Sequence, residues 1–380
     1  MKVTDRMQIR LLDDKNPSDL DALHRIDLES AQKSAGIIFM QLFNPPRHQK
    51  FGGSLVLLAY DPDNGNLVGS VGTNIRQVIF PTAPAKFQTV ALVFSLRVSQ
   101  SYQRQGIGRK ILEELESRLI KLGVDFCYAG AALNNVASKT LFMKGFHYKQ
   151  MFTADCRAIN VQHMHKIIER PLQGFKYGKM VGKESETWVN NRFGDSFFFP
   201  SNKYPVGATV YSASQNDKSL HLLITDLPEK WVFGCDILWM RIKVAIRTFI
   251  AWLFPRWFEA PIPFGTPMMV HMAYPFSVTK GVTDHQFKQL QEALWSHVVT
   301  DMVHRANVIM FYDEPKMSGL SKSQSLILSK SRFVSPTLFK NLTLLLMGKG
   351  LAPPGSDAGT DELAEFAINQ DFWFIDGKEF

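Results

Sequence analysis

Residues 90–124 read VALVFSLRVSQSYQRQGIGRKILEELESRLIKLGV. Val90, Leu92, Phe94, Leu96 and Val98 alternate with other residues, the period of a strand with one buried face. The segment Gln103-Arg104-Gln105-Gly106-Ile107-Gly108-Arg109 follows. From it opens a helix whose apolar stripe is Ile107, Ile111, Leu112, Leu115, Leu119 and Leu122, with Gly123 as a natural stop. A strand that feeds a glycine turn, which in turn opens a helix, offers backbone N–H groups and a helix dipole to an anion. Gly106 and Gly108 remove side chains where a diphosphate must approach the backbone, and Arg104 and Arg109 add charge there. The Gly-Lys-Ser/Thr of a P-loop and the third glycine of a dinucleotide fingerprint are both missing.

Ser54–Tyr60 and Leu67–Ile79 flank the turn Asp61-Pro62-Asp63-Asn64-Gly65 and read as a β-hairpin. Met7–Leu12 reads as a first strand, and Asp19 as the cap of a helix from Leu20 to about Ala31. Phe43–Gly53 and Pro81–Ala85 read as loops. Beyond the central helix come a strand over Val124–Ala129, a short helix from Asn135 to Lys144 closed by Gly145, and a hairpin over His147–Ile159. Farther on, Met268–Ala273, Thr283–Ala306 and Val308–Tyr312 again have the order β–α–β. Leu351–Asp361 reads as a loop and Asp371–Ile375 as a closing strand. No short-period repeat is visible. At about 100–200 residues per domain, 380 residues suggest two, with boundaries at 1–160 and 161–380.

The order of strand, Gln103–Arg109 turn, helix, strand and Asn-x-x-Ser-x-x-Leu-Phe helix resembles the GCN5-related N-acetyltransferase (GNAT) superfamily, whose signature is Gln/Arg-x-x-Gly-x-Gly/Ala. The resemblance implies an α+β fold: a mixed, splayed β-sheet flanked by helices, with residues 161–380 as a second, diverged GNAT-like domain. It implies acetyl-CoA as co-substrate. Gln103 and the amides of Arg104, Gln105, Gly106, Ile107, Gly108 and Arg109 would hold its pyrophosphate. Its pantetheine would lie beside Leu96, Arg97 and Val98, with Asn135 near the arm and the Val98 N–H polarising the thioester. Phe142, counted with the cofactor-binding residues, stands where many members of the superfamily place a tyrosine that protonates the leaving thiolate. Plant Hookless-type N-acetyltransferase-like proteins are similar over most of the chain: they share Leu96-Arg97-Val98, Arg104–Gly108 and Leu141-Phe142. Short motifs like Phe198-Phe199-Pro200, Pro228-Glu229-Lys230-Trp231, Pro263-Phe264-Gly265 and Phe374–Phe380 occur in the same order.

The implied activity is transfer of an acetyl group to a primary amine by direct attack in a ternary complex. The acceptor, a small molecule or a protein lysine, is not readable. The alternative is a regulator or scaffold that keeps CoA binding without turnover. Asp27, Glu29 and His147 are the candidate bases; each also reads as an ordinary surface residue. His163 and His165 alternate on an expected strand but lack a third ligand, so no metal site is expected. Cys127 reads as a core residue. Three cysteines cannot make a disulfide framework and no apolar leader opens the chain, so the reading is intracellular, cytoplasmic or nuclear. Ile237–Phe254 is interrupted by Arg241, Lys243 and Arg247 and is not a membrane span. The Trp239–Phe258 stretch reads as a helix packed into the second domain, in preference to one lying on a membrane. A net charge of +8, most of it within residues 1–160, suits a phosphorylated small ligand as well as nucleic acid, and nucleic acid is not expected.

Overall fold

The computed structural model describes residues 6–29, 32–34, 37–42, 54–80, 86–168, 172–193, 208–225, 229–235, 238–254, 268–273, 277–279, 281–306, 308–313 and 343–351. The first half runs β1 (Gln8–Leu11), α1 (Pro17–Glu29), β2 (Gln32–Ser34), β3 (Ile37–Leu42), β4 (Ser54–Tyr60), β5 (Leu67–Phe80), β6 (Lys86–Val98), α2 (Ile107–Lys121), β7 (Phe126–Ala132), α3 (Val136–Lys139), a wide π turn (Thr140–Gly145) and β8 (Lys149–Asn160). The second runs α4 (Val161–Ile167), β9 (Lys176–Met180), α5 (Lys183–Phe193), β10 (Ala208–Gln215), β11 (Lys218–Thr225), β12 (Glu229–Cys235), α6 (Leu238–Leu253), β13 (Met268–Met272), β14 (Ser277–Val278), α7 (Asp284–Met302), β15 (Val308–Asp313) and β16 (Thr343–Gly350).

One pattern occurs twice. The series β1–α1–β4–β5–β6–α2–β7 is followed by β9–α5–β10–β11–β13–α7–β15, and in each the last two strands run parallel across their helix. The second copy carries β12 and α6 as an insertion. Before α7 the left-handed glycine, Gly281 at φ 75°, stands two residues ahead of the N-cap, which is Thr283 with Gln286 in a capping box and not a glycine. The molecule is therefore α+β, with the expected mixed sheet and a diverged second copy.

The strands lie in a 12-stranded sheet, ordered β1-β4-β5-β6-β7-β16-β8-β15-β13-β12-β3-β2, and a 4-stranded sheet, ordered β14-β11-β10-β9. The closing strands of the two copies are exchanged. β16 inserts between β7 and β8, while β8 pairs on its other edge with β15. β3 likewise pairs with β12. The large sheet thus runs unbroken across residue 160. The expected hairpin over His147–Ile159 is one strand, because its partners come from Val308–Asp313 and Thr343–Gly350.

Two cores follow the two copies. Ile107, Ile111, Leu112, Leu115 and Leu119 of α2 pack on Leu57, Val71, Ala91 and Cys127. Leu122, expected in that stripe, is exposed at the helix end. In the second core Leu290, Leu294, Trp295 and Val298 of α7 meet Tyr211 and Leu222.

The first helix begins three residues earlier than expected, because Asn16, not Asp19, supplies the cap: the Ser18 N–H donates to its side-chain oxygen at 3.0 Å. Asp19 is buried and accepts from Arg10 at 2.5 and 2.6 Å and from the Tyr60 hydroxyl at 2.8 Å, tying β1, α1 and β4 together. The Arg10 hydrogen bond holds its carboxyl below the ordinary aspartate range. A carboxyl depressed on folding adds stability above its unfolded pKa, and that stability is lost as pH falls through the folded value. Asp19→Asn should therefore cost about 1–3 kcal/mol at neutral pH. Denaturant titrations of both proteins should show the difference closing in acid.

His163 and His165 lie on helix α4, not on a strand; Asn160 caps it by accepting from the His163 N–H at 3.0 Å. Two residues apart on a helix, they face different ways. The loops expected at Phe43–Gly53, Pro81–Ala85 and 352–361, the strand at Asp371–Ile375, and the motifs at Phe198–Pro200, Pro263–Gly265 and Phe374–Phe380 lie outside the described residues.

Candidate functional site

β6 and β7 pair from Val90↔Phe126 only as far as Val93↔Ala129. Beyond that, Ser95 takes a left-handed φ of 50°, and the register against β5 slips between Ser70 and Gly72. This bulge turns β6 away, while β7 runs on to Ala132, held on its opposite edge by β16. The strands splay. The Ser99 N–H donates to Val68 O at 3.0 Å, on the β5 side. Strand alternation then turns the backbone groups of Val98 and Leu96 into the gap. Gln103 reaches back to the gap as well, donating from Nε2 to Val98 O at 3.3 Å.

At the end of the splay the chain passes through a short 3-10 turn, Gln100–Tyr102, into the glycine turn. Arg104 and Gly106 both adopt left-handed backbone, with φ of 60° and 86°, and Gly106 is the N-cap of α2. The N–H groups of Ile107 and Gly108 fall in the first turn, where they have no intrahelical acceptor. Tyr102 anchors this turn: its hydroxyl donates to Asp61 Oδ2 at 3.1 Å and accepts from Asn64 Nδ2 at 3.0 Å. The hairpin loop thereby positions the glycine turn. Tyr102→Phe should leave the core intact while weakening binding of acetyl-CoA, the ligand expected at this turn, about fivefold, since losing one hydrogen-bonded tether costs about 1 kcal/mol. Calorimetry beside a thermal melt would separate the two effects.

A cleft of about 600 Å³ opens beside the turn, lined by Arg104, Arg109, Val136, Ala137, Thr140, Leu141, Lys144 and Gly145. The far wall is α3 and the π turn, whose wider winding carries Thr140, Leu141 and Lys144 onto the cleft. Arg109 lies over the Phe146 ring, 5.8 Å from its centroid. Three cations, Arg104, Arg109 and Lys144, thus border the space in front of a helix N-terminus. The arrangement fits a polyanionic nucleotide cofactor such as a CoA diphosphate. Sequence reasoning missed Lys144 and the Tyr102–Asp61 tether. Lys144-Gly145 at the end of a short helix was the available signal for the first.

The other site residues fall into groups. Gln105 is exposed on the turn, and Gly108 has room beside Val98 and Leu141. Ile107 and Phe142 point into the core; Phe142 is 4% exposed and edge-on to Tyr148 at 5.0 Å. Only the backbone of Ile107 can face an anion. Asn135 caps α3, accepting from the Ser138 N–H at 3.1 Å. Asp27 and Glu29 meet the end of β6: Asp27 lies 3.5 Å from Arg97, and Glu29 accepts from Ser99 Oγ at 3.0 Å. His147 is exposed at a left-handed turn, φ 61°, and does not line the cleft. Cys127 is fully buried, and burial together with Glu116 pushes its thiol pKa up, away from nucleophilic chemistry. Among the described residues no three His, Cys, Asp or Glu side chains converge as a metal site.

The splayed parallel pair, its bulge and the glycine turn lie within a segment, residues 20–148, that matches the Acetyltransferase (GNAT) family. Over that segment the chain is similar to the GNAT family. Two Arabidopsis thaliana proteins are similar to it: Probable N-acetyltransferase HLS1, 28% identical over 132 residues, and Probable N-acetyltransferase HLS1-like, 27% identical over 132 residues. The first match spans 33% of this chain and 32% of the relative, and the second 33% and 31%. The chain thus matches about a third of the length of these relatives, a shorter stretch than the motifs beyond the GNAT domain suggested. Over 97% of this chain and 85% of the other, the fold is similar to Saccharomyces cerevisiae N-myristoyltransferase with bound myristoyl-CoA, with a TM-score of 0.53 and 10% identity. At that identity the likeness concerns the fold alone. It extends over both copies of the repeated pattern.

Proposed function

We propose that the protein is an acetyl-CoA-dependent N-acetyltransferase acting on a primary amine. The observation that carries this is the left-handed Gly106 turn, with Arg104, Arg109 and Lys144 around it, at the end of the β6–β7 splay. In this reading the amides from Arg104 to Arg109 and the three cations hold the diphosphate of CoA. Gln103 and Asn135 stiffen the two walls through which the pantetheine runs to Leu96 and Val98. The Val98 N–H donates to the thioester carbonyl. Asp27 and Glu29, beside Arg97 and Ser99, border the end of β6 and so stand at the amine side. Holding amine and thioester in line can contribute about 7–11 kcal/mol without an acid–base pair.

The first half through β8, completed by β16, is the acetyl-CoA-binding domain in this proposal. The second copy, whose helix opens on Thr283 and not on a Gly-x-Gly turn, binds no CoA. The relatives' names support acetyl transfer to nitrogen. The test is thiol release from acetyl-CoA over a panel of amines and lysine peptides. Amine-dependent release is expected; hydrolysis unaffected by every amine would sink the transferase reading.

One observation favours the second reading, a CoA-binding regulator. Phe142 offers no hydroxyl at the position where the resemblance to the wider superfamily implies a tyrosine, and the nearby Tyr148 is buried against it rather than in the cleft. That reading predicts acetyl-CoA binding with no turnover on any acceptor.

A further inference from the structure

The insertion of the second copy ends in α6, a 16-residue helix with three basic residues, Arg241, Lys243 and Arg247, and no Asp or Glu. The packed interior helix expected for this stretch is not what the structure contains. α6 leans on β12 by a narrow face that buries Ala251. Its opposite face is apolar and open: Trp239 is 67% exposed, Ile246 51%, Phe249 58% and Trp252 73%, with Leu238, Ile242 and Leu253 among them also exposed. At about 100° per residue these side chains fall on one arc. Arg241 and Lys243 stand on its two borders, roughly 100° from its centre, and Arg247 lies farther round.

We propose that α6 is an interfacial helix that seats the protein on an anionic membrane surface. An apolar arc facing away from the body, tryptophans near both ends and cations along its rims is the pattern of a helix lying in the headgroup layer. Spanning is excluded by length: 16 residues reach about 24 Å, short of a bilayer core of about 30 Å. No helix among the described residues is long and apolar enough to cross a membrane. Charge decides between lipid and a second copy of the chain. Two α6 helices face to face would bring four rim cations together, Arg241 and Lys243 of each, with no carboxylate on either helix, whereas acidic lipid headgroups neutralise them.

The test is co-flotation of the full chain with phosphatidylcholine vesicles, with and without phosphatidylserine, at low and raised salt. The wild type should float with the phosphatidylserine vesicles and be released by salt. Ile246→Glu with Phe249→Glu should reduce binding at least about tenfold. Arg241→Glu with Lys243→Glu should reduce it about fivefold or more per cation removed, and only on anionic vesicles. Acetyl-CoA affinity, measured in parallel, should be unchanged and reports that the variants are folded. Failure of the wild type to float on anionic vesicles would overturn the proposal, whether the chain then sediments as a monomer or as a dimer. So would equal flotation of the Ile246/Phe249 variant.

Discussion

Gly106→Glu is expected to abolish acetyl-CoA binding, with a loss of at least about 100-fold in calorimetric titration. Two effects act together. Gly106 sits at φ 86°, a conformation that costs a residue with a Cβ about 1–2 kcal/mol. The new carboxylate would also stand at the N-cap of α2, in front of the N–H groups proposed to hold the diphosphate. Two like charges about 4 Å apart near a protein surface repel by roughly 4 kcal/mol. Gly106→Ala keeps only the first effect and should bind about tenfold more weakly. Gly108→Ala is the control. A Cβ there would meet Val98 Cγ2 at 3.5 Å and Leu141 Cδ2 at 3.6 Å, ordinary contacts, so binding should change less than about threefold. Wild-type affinity in Gly106→Glu would move the nucleotide site away from this turn.

The second large effect concerns the exchanged strand. Gly348→Leu in β16 should destabilise the whole protein by about 3 kcal/mol or more. A Cβ at Gly348 would lie 2.4 Å from the ring of Phe126 and 2.6 Å from the sulfur of Met151, both buried side chains of the neighbouring strands. β16 has no room to shift, because β7 holds one edge and β8 the other. The adjacent Lys349 makes a 2.9 Å ion pair with the nearly buried Glu116 of α2. The strand from the end of the described chain is thus part of the first core. Thermal unfolding of Gly348→Leu should show a lowered transition shared by acetyl-CoA binding. A variant that melts like wild type would mean that β16 is peripheral to the first core.

What the sequence revealed follows from where the contacts are local. The Leu96–Val98 strand end, the glycines and the α2 stripe lie within one short stretch, so period and turn chemistry identify them together. The second β–α–β was visible for the same reason, in Phe287, Leu290 and Leu294. What could not be read is decided by distant partners. Nothing near Lys349 indicates Glu116, 233 residues away, and nothing in Lys149–Asn160 says that its partners are β15 and β16. Asp19 looks like a cap until Arg10 and Tyr60 claim its carboxylate. The π turn that brings Lys144 to the cleft leaves no mark in residue pattern, because helical and π windings use the same side chains. The orientation of α6 could not be read either. An amphipathic stripe says that a helix has an apolar face, but only the fold says whether that face looks inward.

Calorimetric titration of the purified chain with acetyl-CoA decides most directly whether the Gly106 turn is a CoA site. One molecule should bind per chain, with heat abolished in Gly106→Glu, and thiol should be released once a suitable amine is added. Absence of binding, or two molecules bound per chain, would contradict that assignment.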